Sequence, residues 1–254
     1  MRSFWIAGLV AAAVTLAPTA RASDVRLLTT GAYKQVALAL IPQYEAASGN
    51  KVLVESDTAG GIIRKIEAGA PFDLVVLTTQ AVGDLVTEGK LASESATDLA
   101  KVGVGVAVKS GAPHPDVGTV EAFKHMLLKA KSIAYIDPKA GGSSGIYVSG
   151  LIERMGLTKK LRRRTVLVNG GLVADKVASG QAEIGLQQIS ELSGYPGVDL
   201  VAPLPKEIQS FTVYGAGINL KAAEPEAAKA LLAVLSGPAA ASLLQARGMQ
   251  PPGI

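Results

Sequence analysis

The chain has no cysteine, only two histidines and few aromatic residues, 4% in all. Each shortage removes a class of function. Without cysteine there is no disulfide framework, no thiolate metal site and no anchor point for a lipid. His114 stands among prolines and His125 falls on a polar helix face, so the two make no metal motif, and neither metal nor cofactor is expected. No nucleophile elbow, Ser/His/Asp arrangement, phosphate-loop lysine or dinucleotide fingerprint is recognised, which argues against a hydrolase or a nucleotide enzyme. There is no 20 to 50 residue repeat and no low-complexity tract, so a solenoid is not expected.

Long apolar runs are also scarce. The one that stands out, Phe4 to Leu16, follows Arg2 and precedes Ala20-Arg21-Ala22. It is too short for a permanent membrane helix and ends in the small-x-small pattern of a leader cut after Ala22, so residues 1–22 are expected to be a signal peptide and the product a secreted protein without stable membrane insertion. Losing Arg2 and Arg21 with that leader lowers the formal charge from +4 to +2. So mild a basicity, with so few aromatics to stack on bases, gives no case for nucleic acid. The cluster Lys159-Lys160-Leu161-Arg162-Arg163-Arg164 reads as a solvated link between a helix and a strand.

What the chain has in quantity is alternation. Short β-branched runs such as Val25 to Thr29, Lys51 to Glu55 and Asp73 to Leu77 take turns with alanine-rich stretches at helical spacing, the pattern of a largely parallel α/β sheet. Tyr33 to Ala47 is predicted to be a helix that Pro42 kinks or divides. Val102 to Val108 is apolar and glycine-spaced and reads as a crossing from one lobe to another, after which the same grammar resumes through Ser132 to Asp137, Thr165 to Asn169 and Ala182 to Gln188. Phe211 to Leu220 reads as a long strand, and the tail as two helices parted by Gly237-Pro238. The expected division is residues 23–106 with 211–254 as the first lobe and 107–210 as the second.

Ligands of open parallel sheets gather beyond the carboxyl ends of the strands, where helices present unpaired N–H groups. Three loops are suited to hold one there, namely Thr29-Thr30-Gly31-Ala32-Tyr33, Asp57-Thr58-Ala59-Gly60-Gly61 and Ala140-Gly141-Gly142-Ser143-Ser144-Gly145. Any one of them could serve only as a helix cap; three, drawn from both lobes, favour an anion held between them. Lys34 and Arg64 are predicted in the first turns of their helices, where the macrodipole disfavours cations and a bound anion would offset the conflict. The alternative is that they bend into solvent or pair with Asp57 or Glu67. Read as ligand contacts, they suit a multiply charged carboxylate, and Arg64→Ala is then expected to cost about 1.5 to 3 kcal/mol of binding. One amide of Gln187-Gln188 is expected in the same cleft, and Asn169-Gly170-Gly171 ends another strand in similar fashion.

The segments Ile66-Glu67-Ala68-Gly69-Ala70-Pro71-Phe72-Asp73-Leu74, Asp137-Pro138 followed by Gly145-Ile146-Tyr147, and Gly237-Pro238-Ala239-Ala240 carry a resemblance to the molybdate-binding branch of the type II periplasmic binding proteins. The resemblance implies a two-lobed α/β fold, two parallel or mixed sheets flanked by helices and joined by two crossover strands, closing on a small anionic ligand for an ABC permease, with a monomer expected. Joined to the two cations, the loops give an expected ligand set of Thr30, Gly31, Lys34, Thr58, Gly60, Arg64, Gly142, Ser143, Ser144 and Gln188. Several oxyanion donors of the family are replaced here: Ala32 stands for a serine, Thr58-Ala59-Gly60 for a serine-rich loop and Gln188 for a tyrosine. With the added cations Lys34 and Arg64, this points away from molybdate. The chain is also similar to aconitate isomerase, an enzyme on the same scaffold that moves an allylic proton to interconvert the cis and trans forms of a tricarboxylate. That resemblance implies that Arg64, Lys34 and the Ser143-Ser144 helix end hold substrate and that Asp57, Tyr33 or Tyr147 handles the proton.

Overall fold

A computed structural model describes residues 23–253; the expected leader, residues 1–22, lies outside them. The first lobe begins with β1 (Asp24–Thr30), α1 (Gly31–Ser48), β2 (Lys51–Asp57), α2 (Ala59–Glu67), β3 (Leu74–Thr78) and α3 (Thr79–Thr87). A long strand, β4 (Thr97–Lys109), then leads to α4 (Val120–Lys129), β5 (Ile133–Ile136), α5 (Ser143–Arg154), α6 (Thr158–Leu161), β6 (Thr165–Val168), α7 (Val173–Ala178), β7 (Ile184–Gln188), α8 (Ile189–Leu192) and β8 (Val198–Pro203). The chain returns through β9 (Phe211–Ile218) to α9 (Pro225–Leu235), α10 (Ala239–Ala246) and β10 (Met249–Gln250).

Strand order is β2-β1-β3-β9-β4-β7-β5-β6, with β8 and β10 also pairing β4. The strands β2, β1 and β3 are parallel, as are β7, β5 and β6, while β9 and β4 run antiparallel to their neighbours. The central parallel strands read as apolar runs because helices cover both faces: β3 is buried from Leu74 to Leu77, and all four residues of β5 are buried. β4 serves both halves. Thr97 to Gly103 pair β9, whereas Val104 to Ala107 pair β7, so the partner changes between Gly103 and Val104. There Gln209 acts as a substitute strand: its Oε1 accepts from the Val104 N–H at 2.8 Å and its Nε2 donates to the Val104 carbonyl at 2.9 Å. A side-chain amide thus satisfies the backbone where the pairing breaks.

Apolar clusters form separately on the two sides of this crossing. One gathers α1, α9 and α10 on the first sheet, around Tyr33, Leu40, Leu74 and Leu231; another gathers α4 and α5 on the second, around Phe123, Ile133 and Leu151. Of the two outcomes expected at Pro42, division does not occur: α1 is a single helix with Pro42 inside it. Pro42 removes the N–H that the Leu38 carbonyl would accept, and Leu38 lies on the exposed face, where solvent can take its place. The tail helices part as expected at Gly237-Pro238, and among the described residues no single helix is long and apolar enough to cross a membrane.

A buried carboxylate ties the return of the chain to the first sheet. Asp73 is 1% exposed; its Oδ2 accepts from the Arg26 N–H at 2.8 Å, and its Oδ1 accepts from the N–H groups of Ala223 and Glu224 at 2.7 and 3.2 Å. It therefore joins the β1 backbone to the segment that opens α9.

Candidate functional site

Parallel pairing places the strand ends of the first lobe abreast: Thr30 of β1 is in register with Asp57 of β2. In the second lobe β5 ends at Ile136 and β7 at Gln188, and both ends turn toward the same space. The result is a cleft of about 330 Å³ between the lobes. Thr30, Gly31, Lys34, Asp57 and Thr58 line it from the first lobe, and Gly142, Ser143, Ser144, Gln187 and Gln188 from the second.

The helix starts that open here are left uncapped. Thr30 precedes α1 without a side-chain cap, and Gly142 precedes α5 and has no side chain to offer, so N–H groups of both helices remain for a ligand. α2 is different, because the Thr58 hydroxyl accepts from the Gly61 N–H at 3.0 Å and closes that end itself. Among the described residues, three buried side-chain atoms have no hydrogen-bond partner: Thr30 Oγ1, Gln188 Oε1 and Ser190 Oγ. All three residues line the cleft. Buried polar atoms are nearly always paired, and leaving one unpaired costs about 1 to 3 kcal/mol, so their collection in one place marks where a polar guest belongs.

The cleft is also charged. Lys34 has no carboxylate partner within salt-bridge distance among the described residues. Arg247, just beyond α10, donates to the Ser193 carbonyl at 3.1 Å and otherwise faces the cleft. Asp57 is engaged by Lys65 at 3.3 Å and by its neighbour's N–H, Thr58 N to Asp57 Oδ1, at 2.7 Å. Glu191, in the short helix after β7, is a different case. Burial pushes its carboxyl up to about 8, against a smaller downward pull from the Gln187 amide. On the same wall a hydroxyl and amide network crosses between lobes: Gln188 Nε2 donates to Ser143 Oγ at 3.1 Å, to Thr212 Oγ1 at 2.9 Å and to the Tyr214 hydroxyl at 3.3 Å. Burial, then the nearby Glu191, raises the Tyr214 hydroxyl above its ordinary range, so it remains a neutral donor.

The lobes touch beside the cleft. Thr58 Oγ1 donates to the Ala140 carbonyl at 2.5 Å and the Gly60 N–H to the Gly141 carbonyl at 3.1 Å. Two glycines allow this approach. A Cβ on Gly60 would stand 2.8 Å from the Gly141 Cα, one on Gly141 2.6 Å from the Gly60 Cα, and Gly141 also has φ +77°. This is a closed arrangement of the lobes.

The residues expected in the site divide accordingly. Thr30, Gly31, Lys34, Asp57, Thr58, Gly142, Ser143, Ser144 and Gln188 line one cleft. Gly60 and Arg64 do not: both belong to the contact between lobes, with Arg64 Nη2 donating to the Ala140 carbonyl at 3.4 Å. α2 begins at Ala59, so Arg64 sits in its last turn, where the macrodipole favours a cation and the conflict inferred for it disappears. Arg64→Ala is therefore expected to weaken ligand affinity less than about tenfold, the value of one long hydrogen bond, in a calorimetric titration. Tyr33 is fully buried in the first core and donates its hydroxyl to the Leu235 carbonyl at 2.7 Å, and burial raises that hydroxyl further. Tyr147 lies a turn down α5 and donates to the Ile208 carbonyl at 2.6 Å. Neither tyrosine lines the cleft.

One motif passed unread. Gly141-Gly142-Ser143-Ser144-Gly145 has Gly-x-Ser-x-Gly spacing, yet the Ser143 hydroxyl meets the Tyr214 hydroxyl and the Gln188 amide, while His114 and His125 line a separate pocket in the second lobe. No imidazole is available to activate it. Glu191, Ser190, Tyr214 and Arg247 were missed altogether.

Residues 25–250 match the bacterial extracellular solute-binding protein family. The chain is 32% identical over 252 residues to an aconitate isomerase from a Pseudomonas species, covering 97% of this chain and 95% of that protein. It is 29% identical over 266 residues to the molybdate-binding protein ModA of Azotobacter vinelandii, covering 97% of this chain and 98% of that one. Among solved structures, the Azotobacter vinelandii periplasmic molybdate-binding protein superposes with a TM-score of 0.75 at 20% identity, over 90% of this chain and 99% of that chain, which gives the same two-lobed type II binding-protein fold. The chain belongs to the bacterial extracellular solute-binding protein family.

Proposed function

We propose that the protein, exported to the periplasm by residues 1–22, captures a small polycarboxylate between its lobes and delivers it to an ABC-type permease. The observation that carries this reading is the set of unpaired buried oxygens, on Thr30, Gln188 and Ser190, in a cleft that also holds Lys34 and Arg247. Two cations of different shape suit a ligand with separated charges. The guanidinium fork matches a planar carboxylate, the ammonium acts as a point charge, and the starts of α1 and α5 supply N–H donors. A cleft of about 330 Å³ falls at the small end of the range for small-molecule sites.

The test is a calorimetric titration of the mature chain with cis-aconitate, trans-aconitate, simple dicarboxylates and molybdate. Tightest binding to a polycarboxylate, and a loss of about 2 kcal/mol in Lys34→Ala, are expected. Binding of molybdate alone would overturn the ligand class. A second reading is favoured by one observation. Glu191 places in the cleft an acid whose carboxyl, at about 8, exchanges protons near neutrality, as isomerisation of aconitate, the activity in the name of the Pseudomonas relative, would require. Proton NMR of the same mixtures separates the readings: both isomers appearing from either one means turnover, and unchanged spectra mean capture alone.

A further inference from the structure

We propose that Glu191 carries a proton onto and off a bound unsaturated polycarboxylate, so that the cleft converts its ligand as well as holding it. This rests on reading the cleft as a carboxylate site. The placement of the side chain is what points to this role. Glu191 lies in the short helix that follows Gln188, and its carboxyl comes against the first residue of α1. A Cβ on Gly31 would overlap Glu191 Oε1, so glycine at that position is what lets the acid reach the uncapped start of α1, where a ligand's carboxylate would bind.

A partly buried carboxyl kept for stability alone is expected to have a cation against it. Glu191 has none within salt-bridge distance among the described residues. Its neighbours are the Gln187 amide and the Tyr214 hydroxyl, with Ser190, Lys34 and Arg247 elsewhere around the cleft. Asp57, the one carboxylate among the three groups that the sequence offered for the proton, is occupied by Lys65 and the Thr58 N–H.

The step needs no second reactant. The carboxylate form of Glu191 takes a proton from a ligand methylene that lies between a carboxylate and a carbon–carbon double bond. The C–H electron pair enters the conjugated system and the double bond moves by one carbon. Glu191, free to exchange that proton with solvent between the two transfers, then gives a proton to the far carbon, which restores the carboxylate and leaves the isomer. Lys34 and Arg247, holding the ligand's carboxylates, offset the negative charge that builds up between the two transfers.

The experiment uses trans-aconitate in deuterium oxide with the mature wild-type chain, Glu191→Gln and Glu191→Asp, followed by calorimetry and proton NMR. Wild type is expected to exchange the methylene protons and form the cis isomer. Glu191→Gln is expected to bind still, with exchange slowed about 100-fold or more, and Glu191→Asp to recover part of the rate. Exchange as fast in Glu191→Gln as in wild type would overturn the proposal. Wild type that binds the ligand without exchange would overturn it too, while leaving capture intact; wild type that fails to bind would remove both.

Discussion

Gly60→Ala is expected to leave the fold as stable as before, or slightly more stable, and to weaken ligand binding several hundredfold. Gly60 lies in the first turn of α2 without a positive φ, so alanine there favours the helix by up to about 1 kcal/mol. In the closed arrangement, however, the new Cβ would stand 2.8 Å from the Gly141 Cα and 3.0 Å from the Ala140 carbonyl oxygen. Both are backbone atoms, and neither can rotate away. Relief requires the lobes to part, with loss of the Gly60 to Gly141 and Thr58 to Ala140 hydrogen bonds. Overpacking of about 1 to 3 kcal/mol with two hydrogen bonds of about 1 kcal/mol each puts the closed state some 3 to 5 kcal/mol higher. Affinity falls by the loss of the competent population. Thermal melts beside calorimetric titrations check this, and tight binding by a stable Gly60→Ala protein would show that closure does not pass through this contact.

Asp73→Ala is expected to cost about 4 kcal/mol of stability and roughly 10 °C in melting temperature, without involving the cleft. Three N–H groups, on Arg26, Ala223 and Glu224, lose their acceptor in a position only 1% exposed, and the segment opening α9 loses its tie to β1. Native proteins retain only about 5 to 15 kcal/mol, so this is a large share. Asp73→Asn keeps one oxygen but turns an amide donor toward one of the N–H groups, and about half the loss is expected. A chemical denaturation series on the three proteins measures both.

Much of this architecture was readable from sequence because parallel strands covered on both faces must be apolar along their length, as Leu74 to Leu77 are. The loops after β1, β2 and β5 announced themselves through glycine and hydroxyl residues at helix starts, and the cleft they form holds nine of the expected residues. The start of β4 did not. Thr97-Asp98-Leu99-Ala100-Lys101 carries two charges and pairs only through the distant β9 and β10.

Tyr33 was drawn toward the site by its closeness to Thr30, although Val36, Ala37, Leu40 and Tyr44 share its helical stripe and mark it as core. Lys34, one residue on, turns about 100° around the helix and reaches the cleft. Arg247 and Tyr214 had no local signal at all, since only the return of the chain end and of β9 brings them to residues far away in sequence. Glu191 did have one. A charged residue three positions beyond Gln188, itself singled out at a strand end, continues the same approach to the cleft.

The most direct test is a crystal structure of the mature chain with the tightest-binding anion of the titration panel. The anion is expected between the lobes, touching Thr30 or Lys34 on one side and Ser143, Ser144 or Gln188 on the other. An anion held by one lobe alone, or bound in the pocket of His114 and His125, would contradict the account.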